Sequence, residues 1–195
     1  MTPVKVVLAE DEALIRLDLK ESLIEAGYDV VGEASDGAEA VALVRANGAD
    51  VAILDIMMPG VDGLTAAREI MLDRLAAVVI LTAFSQRDLV EKARDAGAMS
   101  YLIKPFTPQE LVPAIELAVA RFRENDVLAK EAESLAERLE ARKVIDRAKG
   151  RLMDEHGMTE SDSFRFLQQT AMSRRTSMRK VAQLVLDDGL QPGNE

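Results

Sequence analysis

The sequence predicts an α/β fold, a doubly wound five-stranded parallel sheet, followed by an all-α region. Three observations predict it. Short, continuous apolar runs recur at Val6-Val7-Leu8-Ala9, Val51-Ala52-Ile53-Leu54, Val78-Val79-Ile80-Leu81 and Tyr101-Leu102-Ile103, as in parallel strands buried on both faces. Between them lie stretches of helical periodicity that end in turn residues such as Gly27, Asn47-Gly48 and Gly97, so strand and helix alternate. Beyond about residue 120 only helical patterns remain.

The βα unit repeats five times between Val4 and about Ala120, with helices expected over 12–26, 37–47, 62–72, 86–96 and 107–121. Five such strands fit the flavodoxin-like order 2-1-3-4-5, whose switch point lies between strands 1 and 3. Residues 122–143 hold neither Gly nor Pro, are densely charged, and space Leu128, Ala132, Leu135 and Leu139 by four, three and four. Two readings stand open there: a short coiled-coil seam of about two heptads, or a solvated connecting helix. Helical signals continue to a stop at His156-Gly157, where His156 suits the negative end of the helix dipole. Thr159-Glu160-Ser161-Asp162 offers a cap for a helix reaching about Met172, with Phe164, Leu167 and Ala171 on its apolar face and Phe164 read as core. Thr176 or Ser177 can cap a third helix that stops at Gly189, with Met178, Val181 and Val185 on one face. Residues 190–195 are expected to fray.

Composition narrows the function classes. A chain of 195 residues allows one domain plus a smaller module, and 48% hydrophobic with 30% charged residues is an ordinary globular balance. No apolar run approaches the roughly 20 residues of a membrane span, and Met1-Thr2-Pro3-Val4-Lys5 leads straight into a strand, so a cytoplasmic protein is expected. The absence of Cys excludes disulfides and thiol catalysis, and the single His156 forms no cluster, so any metal would be oxygen-bound. The net charge of −10 is uneven: residues 1–120 carry 10 Lys/Arg against 20 Asp/Glu, whereas 142–180 carry 10 against 5. An acidic half joined to a locally basic one points to different partners, nucleic acid among those open to the second.

Polar residues stand at the ends of the apolar runs: Glu10-Asp11, Asp55, Thr82 and Lys104. In an open parallel sheet the carboxyl ends of the strands face one crevice, so these residues converge although far apart in sequence. An Asp carboxylate can attack phosphorus, and phosphoryl transfer needs mainly positioning and charge neutralisation. The roles expected are Asp55 as nucleophile, Asp11 as a direct Mg²⁺ ligand, Glu10 as a ligand through water and the main-chain carbonyl of Met57 as a further ligand. Lys104 would neutralise phosphoryl charge, and the Thr82 hydroxyl would bond a phosphoryl oxygen.

The segments Val6 to Glu12, Leu54-Asp55-Ile56-Met57-Met58-Pro59-Gly60-Val61-Asp62-Gly63, Leu81-Thr82-Ala83, and Ala96-Gly97-Ala98 through Tyr101-Leu102-Ile103-Lys104-Pro105-Phe106 together resemble the receiver domains of bacterial response regulators. The resemblance covers about 1–120. It implies phosphorylation of Asp55 by a histidine kinase, a joint rearrangement of Thr82 and Tyr101, and a cis Lys104–Pro105 peptide. Such a domain is no enzyme beyond its own phosphoryl transfer and dephosphorylation. Glu10 stands where many members have Asp.

In the helix around 143–155, steps of 100° place Ile145, Ala148 and Leu152 on one face and Lys143, Arg147 and Arg151 on the opposite one, with Gly150 inside the basic stripe. A mid-helix Gly costs about 1 kcal/mol against Ala, which leaves two explanations, close approach of another backbone or tight helix packing. Lys149 lies near the apolar side, where it can either snorkel or reach a phosphate. The stretch Arg142 to Met153, Gly157-Met158-Thr159-Glu160 with Phe164, Ala171-Met172-Ser173-Arg174-Arg175 and Val181-Ala182 resembles the ANTAR RNA-binding domain, a three-helix output unit, with Ser163 and Thr170 where small apolar residues are more usual. As a whole the chain resembles actinobacterial response regulators of transcription antitermination. This implies a receiver over 1–120, a linker helix over 121–141, an ANTAR domain over 142–189, and RNA stem-loops as partners. The candidate RNA contacts are Lys143, Arg147, Lys149, Gly150, Arg151, Arg174, Arg175 and Arg179. The 128–139 seam is the candidate contact of a phosphorylation-favoured homodimer. Two other outputs remain open, a helix-turn-helix-like module on duplex DNA and a tail that binds only protein.

Overall fold

The computed structural model describes residues 2–83, 91, 93–187 and 190. Five parallel strands, β1 (Lys5–Ala9), β2 (Asp29–Ala34), β3 (Val51–Asp55), β4 (Ala77–Thr82) and β5 (Ser100–Ile103), lie in the order β2-β1-β3-β4-β5. Helices α1 (Ala13–Glu25), α2 (Gly37–Asn47) and α3 (Gly63–Leu72) connect the first four. Most of the helix expected over 86–96 lies outside the described residues.

Side-chain alternation along the strands explains why helices cover both faces. Val7, Ala9, Ala52, Leu54, Val78 and Ile80 point to one side, where α2 and α3 contribute Ala40, Val44, Ala67 and Ile70. Val6, Leu8, Val51, Ile53, Val79 and Leu81 point to the other and meet Leu19 and Leu23 of α1 with Leu111, Ile115 and Ala118 further along the chain. The caps fit their residues. Asp36 accepts from the Glu39 N–H at 2.9 Å and Asp62 from the Thr65 N–H at 2.7 Å, while Gly48 closes α2 at a φ of 59°. The fourth apolar run differs from the first three. β5 is an edge strand, and its alternation leaves Tyr101 and Ile103 exposed.

The helical stretches expected from 107 onward form one helix, α4 (Pro108–His156), of 49 residues. Neither Gly nor Pro interrupts it between Pro113 and Gly150, so nothing in the sequence stops it. The chain divides into two compact units, Met1–Val127 and Leu128–Glu195. In the second, α5 (Glu160–Ser173) and α6 (Met178–Asp187) follow the last turns of α4. Thr159 caps α5, accepting from the Asp162 N–H at 3.2 Å, and Ser177 rather than Thr176 caps α6, accepting from the Lys180 N–H at 3.3 Å. The stop expected at Gly189 lies outside the described residues. Ala148, Leu152, Leu167, Val181, Ala182 and Val185 form this unit's core. Leu128, Ala132, Leu135 and Leu139 are all exposed on α4.

One core assignment is corrected. Phe164 is 44% exposed, and Phe166 at 9% takes its place. The buried face of α5 is Ser163, Phe166, Leu167, Thr170 and Ala171, a regular i, i+3, i+4, i+7, i+8 stripe. Two of its five members carry hydroxyls, which hid the stripe from an apolar pattern. Among the described residues, neither the Ser163 Oγ nor the Thr170 Oγ1 has a hydrogen-bond partner.

Candidate functional site

The strand order brings the expected crevice together. Ala9 pairs with Leu54 in register, so Glu10 emerges beside Asp55, and Lys104 is tied to the end of β4 by its N–H to the Thr82 carbonyl at 2.8 Å. Glu10 is 1% and Asp55 6% exposed, while Asp11 stands at the surface. Oxygens from these three carboxylates lie within 4.8 Å of one another. The Lys104 Nζ donates to the Glu10 Oε2 at 2.5 Å and lies 3.0 Å from the Asp55 Oδ1. Asp55 Oδ2 accepts from the Met57 N–H at 3.2 Å, and the Met57 side chain is exposed. Thr82 is buried at the end of β4, and Tyr101 lies on the neighbouring strand, paired in register with Ile80. The Lys104–Pro105 peptide is cis.

Burial pushes the Glu10 carboxyl above its ordinary value, outweighing the opposing pull of Lys104. Burial would lower the Lys104 pKa, but its hydrogen bonds to Glu10 and Asp55 prevail and raise it. An acidic cluster with one ammonium is electrostatically incomplete at neutral pH. Its donors are all oxygens, which fits a hard divalent cation such as Mg²⁺.

Two features escaped sequence reasoning. Arg16 of α1 donates to the Glu10 carbonyl at 2.5 Å and lies 3.9 Å from Glu33, whose carboxylate also takes Lys20 at 2.5 Å. No spacing signals this clamp, because Glu33 comes from β2. The other is Gly63, where a Cβ would fall 2.0 Å from the Asp55 carbonyl oxygen. The Asp62-Gly63 pair marks a helix start in the sequence but not this contact, which seats α3 against the end of β3.

The basic residues of the second unit are mostly engaged. Lys143 pairs with Glu140 at 2.7 Å, and Lys149 with Asp146 at 2.8 Å and Glu160 at 3.0 Å. These partners, Asp146 first, hold the Lys149 pKa above its ordinary value. Arg151 meets Glu155 at 2.9 Å and donates to the Leu186 carbonyl at 2.6 Å, so it closes the last turn of α6. Arg147 is exposed and has no ion-pair partner among the described residues. Arg174 and Arg175 are exposed in the turn before α6, and Arg179 is exposed in its first turn. A Cβ on Gly150 would meet nothing within 4 Å, so tight helix packing does not explain that glycine.

Comparison with known proteins adds the following. The profile of the response regulator receiver domain matches residues 6–116, and that of the ANTAR domain matches 133–186. The transcriptional regulatory protein PdtaR of Mycobacterium tuberculosis is 58% identical over 185 residues, 95% of this chain and 90% of that protein. The crystal structure of a LuxR-family two-component response regulator from Aurantimonas sp. SI85-9A1 is 35% identical with a TM-score of 0.56, covering 61% of this chain and 86% of that one. The CheX-CheY-BeF3-Mg+2 complex from Borrelia burgdorferi holds a chain 26% identical, TM-score 0.55, covering 58% of this chain and 87% of that one. Among the described residues, no helix is long and apolar enough to cross a membrane.

Proposed function

The chain belongs to the response regulators, with a receiver domain joined to an ANTAR output domain, and from that premise we propose that phosphorylation of Asp55 by a histidine kinase controls binding of the ANTAR domain to RNA stem-loops, and through it transcription antitermination. The observation that carries the reading is the convergence of Glu10, Asp11, Asp55 and Lys104 from separate strand ends. The protein is a cytoplasmic regulator whose only chemistry is the gain and loss of its own phosphoryl group. Its receiver comprises 1–120, its linker 121–141 lies within α4, and its ANTAR domain comprises 142–189.

An Asp55 carboxylate oxygen forms the bond to phosphorus as the donor's leaving group departs. Lys104, already 3.0 Å from Asp55, offsets the charge of the incoming group. Thr82 donates its hydroxyl to a phosphoryl oxygen, and Tyr101 follows Thr82 on the adjacent strand. Asp11, Asp55, the Met57 carbonyl and, through water, Glu10 would hold a Mg²⁺, which would supply positive charge against the phosphoryl oxygens; the BeF3 and Mg+2 named with the Borrelia CheY support that assignment. The exposed Leu128, Ala132, Leu135 and Leu139 stripe supports a homodimer favoured by phosphorylation, which would present two copies of the basic surface to two linked stem-loops.

The test uses the full chain with and without a small-molecule phosphodonor and Mg²⁺. Wild type takes up one phosphoryl group and then prefers stem-loop RNA to duplex DNA of matched length and salt, while Asp55→Asn takes up none. Stoichiometric labelling of Asp55→Asn overturns the acceptor assignment. Equal affinity for duplex DNA favours the helix-turn-helix reading, and unchanged mass and RNA affinity after labelling remove the proposed coupling.

A further inference from the structure

The loop that carries Glu10 and Asp11 is held unevenly. Glu10 is fixed at every polar atom: its N–H donates to the Ala34 carbonyl at 3.1 Å, its carboxylate accepts from Lys104 at 2.5 Å and from the Glu12 N–H at 3.4 Å, and its carbonyl accepts from the Arg16 Nη1 at 2.5 Å. Asp11 is exposed, and its carboxylate has no hydrogen-bond or ion-pair partner among the described residues. Its direction is therefore set by its main chain. Because a peptide unit is planar, a bond to the Glu10 carbonyl also fixes the N–H and Cα of Asp11. Arg16 is placed for this bond by another element. Glu33 pairs in register with Leu8, whose side chain faces α1, so the Glu33 carboxylate stands on that side too. It lies 3.9 Å from the Arg16 Nε, and Lys20, one turn further along α1, holds its other oxygen at 2.5 Å.

We infer that Arg16 is a positioning residue of the acidic crevice, which by holding the Glu10–Asp11 peptide sets the affinity for Mg²⁺ and the preference for it over Ca²⁺. Groups that orient metal ligands without touching the ion govern affinity in general. Mg²⁺ demands near-ideal octahedral geometry, whereas Ca²⁺ accepts a flexible shell of more oxygens, so a loosened Asp11 penalises Mg²⁺ more. Charge argues in the opposite direction. A guanidinium beside the crevice repels a divalent cation, so an Arg16 that acted through charge alone would weaken binding, and its removal would tighten it. The two roles thus predict opposite signs. This assignment rests on the Mg²⁺ reading of the crevice and specifies what gives that site its selectivity.

The experiment titrates the unphosphorylated full chain with Mg²⁺ and, separately, with Ca²⁺, by calorimetry, for wild type, Arg16→Met and Arg16→Lys. Arg16→Met is expected to bind Mg²⁺ roughly tenfold more weakly, the lower end of the range for such orienting groups, and to lose less of its Ca²⁺ affinity. Labelling by a small-molecule phosphodonor should then need about tenfold more Mg²⁺ to reach the same stoichiometry. Arg16→Lys keeps the charge but not the planar fork that meets carbonyl and carboxylate together, and should fall between the two; it carries the same comparison if Arg16→Met does not fold. Tighter or unchanged Mg²⁺ binding by these variants, or equal losses for both cations, makes the inference wrong while the crevice reading stands. If wild type binds no Mg²⁺, that reading fails and this inference with it.

Discussion

In the receiver the functional charges arrive from three strand ends and are drawn into one crevice, where Glu10 and Asp55 are buried and share a single ammonium. In the ANTAR domain the cations stand in rows on helix surfaces, and Lys143, Lys149 and Arg151 each have an acid three or four residues away. The first arrangement holds an excess of negative charge that a divalent cation can offset. The second is close to neutral at each pair, and exposed pairs of this kind add little to stability. Lys104 and Lys149 each touch two carboxylates, so the contrast lies in the burial of those carboxylates and not in the number of bonds.

The largest expected effect separates two glycines. Gly63→Ala forces a methyl into the Asp55 carbonyl and should cost about 3 kcal/mol in denaturant unfolding, whereas Gly150→Ala should gain stability. A Gly63→Ala midpoint equal to that of wild type would show that the β3–α3 junction yields easily. Next, Lys104→Met leaves two buried carboxylates without a counter-charge and should cost about 2 kcal/mol in metal-free buffer, with part of the loss recovered in Mg²⁺. Lys149→Met should change stability far less, since the partners of Lys149 are solvated. Equal losses for the two lysines would erase the contrast between crevice and surface.

A smaller effect is the pH dependence of the metal-free protein. Because the folded-state pKa of Glu10 lies above its ordinary value of 4.5, the folded chain holds that proton more tightly than the unfolded one. Its contribution is therefore fully present below 4.5 and is lost as pH rises through the folded pKa. Lys104, raised above 10.5, acts at the other end, losing its contribution only as pH climbs past its folded value. Saturating Mg²⁺ should raise the melting temperature more at pH 7 than at pH 4. A Mg²⁺ shift independent of pH would separate the cation from Glu10. The smallest effect belongs to the ANTAR core, where Ser163→Ala and Thr170→Val each remove a buried hydroxyl that has no partner among the described residues and should stabilise by about 1 kcal/mol. A loss of stability on either change would mean that its hydroxyl has a partner in solution.

Some of this was legible in the chain because it depends on a residue's direction within its own element. The apolar runs specify strands, and a strand-end position specifies the crevice, so Glu10, Asp55, Thr82 and Lys104 could be named before any contact was seen. The stops at Asn47-Gly48 and His156-Gly157, the helix start near Asp62 and the cap at Thr159 are equally local. Where polar residues entered an apolar stripe, as Ser163 and Thr170 do, the pattern misled, and Phe164 was taken for Phe166. By itself, then, the sequence determined the two-domain plan, the sheet order, the acidic crevice and the basic helix. Only the tertiary structure decided that Arg16 clamps Glu10, that Arg151 closes α6 through Leu186, that Lys149 binds Glu160, and that Gly150 faces open space. Each of these depends on a partner, or the lack of one, beyond the residue's own stretch of helix. Periodicity reports which way a side chain points, and only packing decides what it meets.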